Sequence, residues 1–212
     1  MPVEPKVLVV GTTADYIDWI QKSCPGRALF LTEPGVRRQA EEPCPLPGEE
    51  ILSNLDDFSR CRQDLQRHLD RYDIRLNGVA CFDCESMELA AVLARHYELP
   101  YPSVTAVNNC RNKHLTKDLW QSQQLPTPKT RRIRSQAEAA AFFNELGKAC
   151  VLKPLTGSGS EFVFYCDSAR ACEHSFYKIQ QGLDRCRANR LYRHHAGDEP
   201  QIVAEEFMEG DE

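Results

Sequence analysis

The sequence predicts an α/β protein, with a parallel α/β layer over residues 1–105 and a second domain of mixed strands and helices over residues 106–212. Three observations carry this. The run Lys6-Val-Leu-Val-Val-Gly11 is continuously apolar and ends on glycine, as strands buried on both faces of a parallel sheet do. Strand-type and helix-type stretches then alternate as far as Leu99-Pro100. Beyond residue 105 that rhythm stops, and a strand, a small-residue loop and a second strand follow one another between Cys150 and Cys166.

After the first strand, Thr12-Thr13 can cap a helix from Ala14 to about Lys22, with Tyr16, Ile17 and Ile20 facing inward. Arg27 to Thr32 reads as a second short strand. The stretch from Glu33 to Glu50 holds four prolines and five acidic residues, the composition of a surface loop. Phe58, Cys61, Leu65 and Leu69 keep helical spacing up to Tyr72. Gly78-Val-Ala-Cys-Phe-Asp83 is the next strand, and Met87, Ala90, Ala91 and Ala94 mark a helix that ends before Leu99-Pro100.

In the second domain, Arg111 or Asn112 opens a helix through Gln124, with Leu115 and Leu119 on its apolar side and Leu125-Pro-Thr-Pro128 as its stop. Lys129 to Arg134 reads as an exposed basic strand, a solvated edge rather than a nucleic-acid patch. An alanine-rich helix runs from its cap Ser135 to Leu146, with Gly147 ending it. Ala169, Cys172, Phe176, Ile179 and Leu183 mark one face of a further helix. Arg185 to Pro200 is polar connection, and Gln201-Ile-Val-Ala204 is the last strand.

With 212 residues the chain can build one large or two small cores. A formal net charge of −5 argues against bulk binding to nucleic acid or to an anionic membrane. No basic segment with a long apolar core opens the chain, and no apolar run approaches the ~20 residues of a membrane span. A cytoplasmic protein is expected, with neither nucleic acid nor membrane among its partners. The ten cysteines are scattered. Cys24, Cys61, Cys110, Cys150, Cys172 and Cys186 lie in or beside apolar faces, where a thiol behaves as a small hydrophobe. The C-x-x-C at Cys81 and Cys84 sits at a strand end, with no second pair at zinc-ribbon spacing, so packing is its expected role. His194-His195 with Asp198 and Glu199 reads as a solvated turn, and no metal-ligand set is assigned.

The stretch that carries chemistry is Cys150-Val-Leu-Lys-Pro-Leu-Thr-Gly-Ser-Gly-Ser160. Its short strand delivers Lys153 to the mouth of a flexible loop. Gly157 and Gly159 let the backbone turn tightly and approach a ligand, and Ser158 and Ser160 add hydroxyls to its free N–H groups. A lysine charge beside a row of backbone donors suits nucleotide phosphates. The loop is not the phosphate loop of common NTPases, which needs Gly-Lys-Ser/Thr opening a helix. Here a strand, Glu161 to Cys166, follows, and the loop is expected to be a hairpin flap. The turn Val9-Val-Gly11-Thr-Thr lacks the second and third glycines of the dinucleotide fingerprint.

Three pieces in order resemble the ATP-grasp superfamily. Asn112-Lys113-His-Leu-Thr-Lys117-Asp-Leu-Trp120, before Leu125-Pro-Thr-Pro128, resembles the helix that opens its nucleotide-binding region. Val151-Leu-Lys153-Pro154 with Thr156-Gly-Ser-Gly-Ser160 resembles its phosphate lysine and flap. Val203-Ala-Glu205-Glu206-Phe207-Met208-Glu209-Gly210-Asp211-Glu212 is similar to the hinge strand that holds the adenine. The resemblance covers about residues 6–212, and biotin carboxylase, carbamoyl phosphate synthetase and D-alanine–D-alanine ligase share this plan.

The resemblance implies a pre-ATP-grasp domain followed by an α+β lid lobe. It places Lys113 and Lys153 on nucleotide phosphates, with Arg111 or Lys117 as alternatives to Lys113, and closes the Gly157–Ser160 backbone over them. Glu205 would accept from the adenine amino group, the Phe207–Met208 backbone would bond the ring edge, and Glu212 would hold the ribose. Of Glu205 and Glu206, one is expected to face outward. The family holds its magnesium ions on strands after the hinge, beyond Glu212, so Mg2+ is expected only in a fuller protein and the C-terminal metal-binding lobe is absent from these residues. No catalytic residue is assigned. The implied activity is the ATP-binding part of a carboxylate–amine or carboxylate–thiol ligase working through an acyl phosphate, with ATP and a carboxylate as partners. A non-catalytic nucleotide-binding or interaction module is the competing class, and a redox-responsive protein using Cys81 and Cys84 a third. A homodimer stays open.

Overall fold

The computed structural model describes residues 4–186, 189–192 and 202–210. The chain divides into two compact units, Met1–Val107 and Asn108–Glu212. In the first, β1 (Lys6–Val10), β2 (Ala28–Thr32), β3 (Glu50–Leu52) and β4 (Leu76–Ala80) form a parallel sheet in the order β3-β2-β1-β4. Alternate residues of its central strands leave on opposite faces. Leu8, Val10, Leu29 and Leu31 join Cys61 and Leu65 of α3 (Phe58–Tyr72) and Leu89 and Leu93 of α4 (Met87–His96). Val9, Ala28 and Phe30 pack instead with Ile17 of α1 (Ala14–Ser23). Both faces are covered, which is why the first strand reads as an unbroken apolar run.

Several local expectations need correction. Tyr16 is 47% exposed and stacks on Phe82 at 5.8 Å, because α1 buries Ala14 and Ile17 and Tyr16 falls beside that stripe. The stretch after Glu33 is not all loop: α2 (Pro34–Gln39) starts with proline at its first turn, where the missing N–H costs nothing. Arg37 of α2 pairs with Glu50 of β3 at 2.8 Å, both nearly buried, and so fixes the helix against the sheet edge. Gly11 has φ +62, and a Cβ there would stand 2.0 Å from the Ser86 hydroxyl. Its role is close packing of that buried serine.

A helix not expected from sequence, α5 (Val104–Arg111), runs across the boundary between the units, and α6 (Lys113–Ser122) follows with Asn112 as its cap. The second unit is built on an antiparallel sheet of β5 (Thr130–Ile133), β6 (Cys150–Pro154), β7 (Phe164–Cys166) and β8 (Ile202–Glu206), in the order β5-β8-β6-β7. One face is apolar and carries Ile133, Cys150, Leu152, Cys166, Ile202 and Ala204. On it lie α7 (Gln136–Leu146) and α8 (Ala169–Arg185), through Phe142, Cys172, Phe176 and Ile179. Ser135 and Ser168 cap these helices by accepting from Glu138 N and Ala171 N, and Gly147 ends α7 at φ +70.

Cys61, Cys150 and Cys172 are buried as expected, while Cys24 and Cys110 are exposed. Cys81 gives its thiol to Asp83 O at 3.1 Å, and burial pushes it up to about 12, which leaves no thiolate at neutral pH. Among the described residues no helix is long and apolar enough to cross a membrane. Leu65 is fully buried in the first core, so Leu65→Ala should lower stability by about 2–5 kcal/mol in urea unfolding. A loss below about 1 kcal/mol would show that the α3 contact is not part of a packed core.

Candidate functional site

The antiparallel register decides what faces away from α7 and α8. Thr130 pairs with Glu205, Arg132 with Val203, Val151 with Glu205 and Lys153 with Val203, so these six share the second face of the sheet. Helix α6 supplies a further cation to it. Lys117 Nζ stands 3.6 Å from Glu205 Oε1, and Lys153 Nζ stands 3.1 Å from Glu205 Oε2. The three side chains are only 13–19% exposed. The Lys153 contact lies off the direction a hydrogen bond requires, and the buried Oε2 has no hydrogen-bond donor among the described residues. Two ammonium groups on one carboxylate leave net positive charge in a sheltered place.

Helix α6 is stitched to the loop by its first turn. Asn112, nearly buried, accepts from His114 N at 3.0 Å and Leu115 N at 3.1 Å, two of the donors a helix start leaves open. Lys113 N donates to Leu155 O at 3.1 Å, and Lys113 Nζ donates to Gly157 O at 3.2 Å. Lys117 follows one turn later on the same side, with its ammonium 4.4 Å from the Trp120 ring. The loop between β6 and β7 is a hairpin connection, as expected, although β7 begins only at Phe164. Gly157, Gly159, Ser160 and Phe162 all have positive φ, so the backbone here winds against the preference of ordinary residues. Ser158, Gly159 and Ser160 are exposed.

The structure thus groups Lys153 with Glu205, and it brings Lys117 rather than Lys113 to that pair. Lys113 serves the loop base. Glu206 lies on the opposite face of the strand and is not the outward carboxylate expected: at 15% exposed it is about as covered as Glu205, pairs with Lys148 and accepts from Lys129 N at 3.0 Å. Those two partners, Lys148 foremost, hold its carboxyl below the ordinary range. Phe207 N donates to Ala149 O at 3.1 Å, so this amide is not open to a ring edge. Phe207 and Met208 are 38% and 61% exposed, and Tyr165 meets the Phe207 ring edge-on at 5.0 Å. Glu212 and the His194–Glu199 group lie outside the described residues. Among the described residues no cluster of three His, Cys, Asp or Glu could hold a metal ion. Sequence reasoning missed Trp120 and Tyr165. The Lys117 signal was present as the four-residue spacing from Lys113, but spacing does not say which lysine reaches the sheet.

Burial lowers the His114 imidazole below its ordinary 6.5; Asp118, at 3.5 Å, opposes the shift and Arg132 adds to it. Protonation is therefore harder in the folded than in the unfolded chain. The stability His114 contributes is full above about pH 6.5 and is lost as pH falls toward the folded value. His114→Gln should flatten the fall in urea-unfolding stability between about pH 7 and pH 5. An unchanged profile would exclude a buried neutral His114.

No family model matches the sequence. A D-alanine–D-alanine ligase of Acidovorax ebreus (strain TPSY) is 31% identical over 116 residues, which is 54% of this chain and 30% of that protein. The crystal structure of an L-amino acid ligase from Bacillus licheniformis matches with a TM-score of 0.66 at 19% identity, covering 97% of this chain and 45% of that one. The biotin carboxylase domain of Hydrogenobacter thermophilus 2-oxoglutarate carboxylase, solved with MgADP, ADP and bicarbonate, matches with a TM-score of 0.59 at 12% identity, over 97% and 45%. The chain therefore spans less than half the length of each. At these identities the solved structures speak for the fold alone. Together the matches bear out the resemblance to D-alanine–D-alanine ligases, over about half of the chain, and to their ATP-grasp structural neighbours, and the α/β fold class.

Proposed function

We propose that this chain, with the fold of the N-terminal part of an ATP-grasp protein, is the ATP-binding part of a cytoplasmic ligase that joins a carboxylate to an amine or thiol through an acyl phosphate. The observation that carries the reading is the Lys117–Glu205–Lys153 cluster on the sheet face beside the β6–β7 loop. A triphosphate concentrates negative charge, and the two lysines offset it from fixed positions. Glu205 holds both ammonium groups in place before the phosphates arrive.

The exposed residues Ser158 to Ser160 then turn their amides to the phosphate oxygens, with Gly157 and Gly159 allowing the close approach. The Phe207 carbonyl and the Met208 amide read the purine edge, while Tyr165, Phe207 and Met208 supply apolar wall. In the reaction a substrate carboxylate oxygen forms a bond to the γ-phosphorus as the bond to the β-phosphate oxygen breaks. ADP leaves, and the acyl phosphate loses inorganic phosphate when the amine or thiol attacks its carbonyl carbon. Lysines and main-chain donors stabilise charge on the transferred group. Mg2+ would be held by residues outside those described, in the remaining length that the relatives have.

Lys153→Ala should weaken ATP binding at least about tenfold in a calorimetric titration, a loss in keeping with one charge-assisted phosphate contact. Unchanged affinity would remove the phosphate assignment. Binding that persists without ATP turnover in the longest natural form of the protein would leave a nucleotide-binding module in place of a ligase.

A further inference from the structure

The loop proposed to cover the phosphates is clamped at its base by the short turn Arg190–Tyr192. We propose that Tyr192 is a positioning residue that latches this loop in its covering position before nucleotide binds, an inference that rests on the nucleotide reading above. Tyr192 is nearly buried, and its hydroxyl donates to the Glu161 carboxylate at the far end of the loop. Its ring lies against the near end: Gly157 has φ +116, and a Cβ there would stand 2.8 Å from Tyr192 Cε1. One side chain therefore holds both ends of the loop.

Three neighbours complete the clamp. Phe162 sits 5.6 Å from the Tyr192 ring. The Phe162 ring also rests on α8 at Gly182, where a Cβ would come within 2.5 Å of Phe162 Cε1. Arg111 donates to Leu191 O at 3.2 Å, which ties the turn itself to the end of α5. Ser160 and Phe162 both hold φ 57, a left-handed conformation that non-glycine residues adopt only with tertiary support. Burial first and Glu161 second raise the Tyr192 phenol above its ordinary value, so it remains a donor at neutral pH. With both ends fixed, the part of the loop left to order on binding is the exposed span Ser158–Ser160. Less ordering on binding means tighter binding of whatever that span touches.

The test is amide hydrogen exchange on the full chain without nucleotide, comparing wild type with Tyr192→Phe and Glu161→Met. Both variants keep roughly the side-chain length, and each removes one half of the hydrogen bond, the donor in the first and the acceptor in the second. Exchange at residues 158–163 should rise at least about tenfold in each, with β6 and β8 unchanged. In calorimetric titrations the same variants should bind ATP about five- to tenfold more weakly and adenosine unchanged, since the loop touches only phosphates. Unchanged loop exchange in both variants would overturn the latch. So would exchange that quickens through β6 and β8 alike, or an equal loss for ATP and adenosine. Faster loop exchange in a protein whose wild type binds no ATP would establish the latch and overturn the nucleotide reading instead.

Discussion

Neighbouring residues of a strand leave a sheet on opposite faces, and the second unit is organised by that constraint. Once Cys150, Leu152, Ile202 and Ala204 are committed to the core under α7 and α8, Val151, Lys153, Val203 and Glu205 must emerge on the other side. A shift of one residue in the pairing of β6 with β8 would bury Lys153 in an apolar core and expose Leu152. Burial of the core thus places the lysine and the carboxylate as neighbours. Helix α6 then needs only to lie across this face for Lys117 to reach the same carboxylate.

The charges on that face are sheltered without being isolated. A carboxylate taken from water is stabilised only if cations compensate it, and Glu205 has two. Two ammonium groups facing one carboxylate repel one another and remain only partly compensated. An anion arriving beside them relieves that imbalance. By contrast, the outward ion pairs, such as Arg131 with Glu145, are solvated and contribute little to stability. Glu205 and Glu206 are adjacent in the chain, yet strand geometry gives one to the site and the other to Lys148 at the rim.

The loop joining β6 to β7 shows a different balance. Its glycines give it access to left-handed backbone, but Ser160 and Phe162 adopt it as well, at about 1–2 kcal/mol each. Contacts from Tyr192 and from the bare surface of Gly182 offset this. Glycine acts twice here, once in the loop as conformational freedom and once on α8 as empty space that admits a ring. In the first unit Gly11 does the second job for Ser86, which is why a lone glycine after a first strand was a poor guide to a cofactor.

By itself the sequence determined the alternation of strand and helix in the first unit, the capped helix at Ser135, the helical spacing from Phe58, and the hairpin carrying Lys153. Each of these is local: periodicity, a cap and a run of small residues act within a few positions of one another. The three motifs also sufficed to point to ATP-grasp proteins, because their order along the chain is a sequence property. Proline-rich composition misled at Pro34–Gln39, where a first-turn proline starts a helix instead of breaking one and a long-range pair, Arg37 with Glu50, holds it. Only tertiary structure decided that Lys117 meets Glu205, that Glu206 pairs with Lys148 and that Tyr192 spans the loop. Those outcomes depend on strand pairing and helix placement between residues from 31 to 88 positions apart, and no local signal carries such distances.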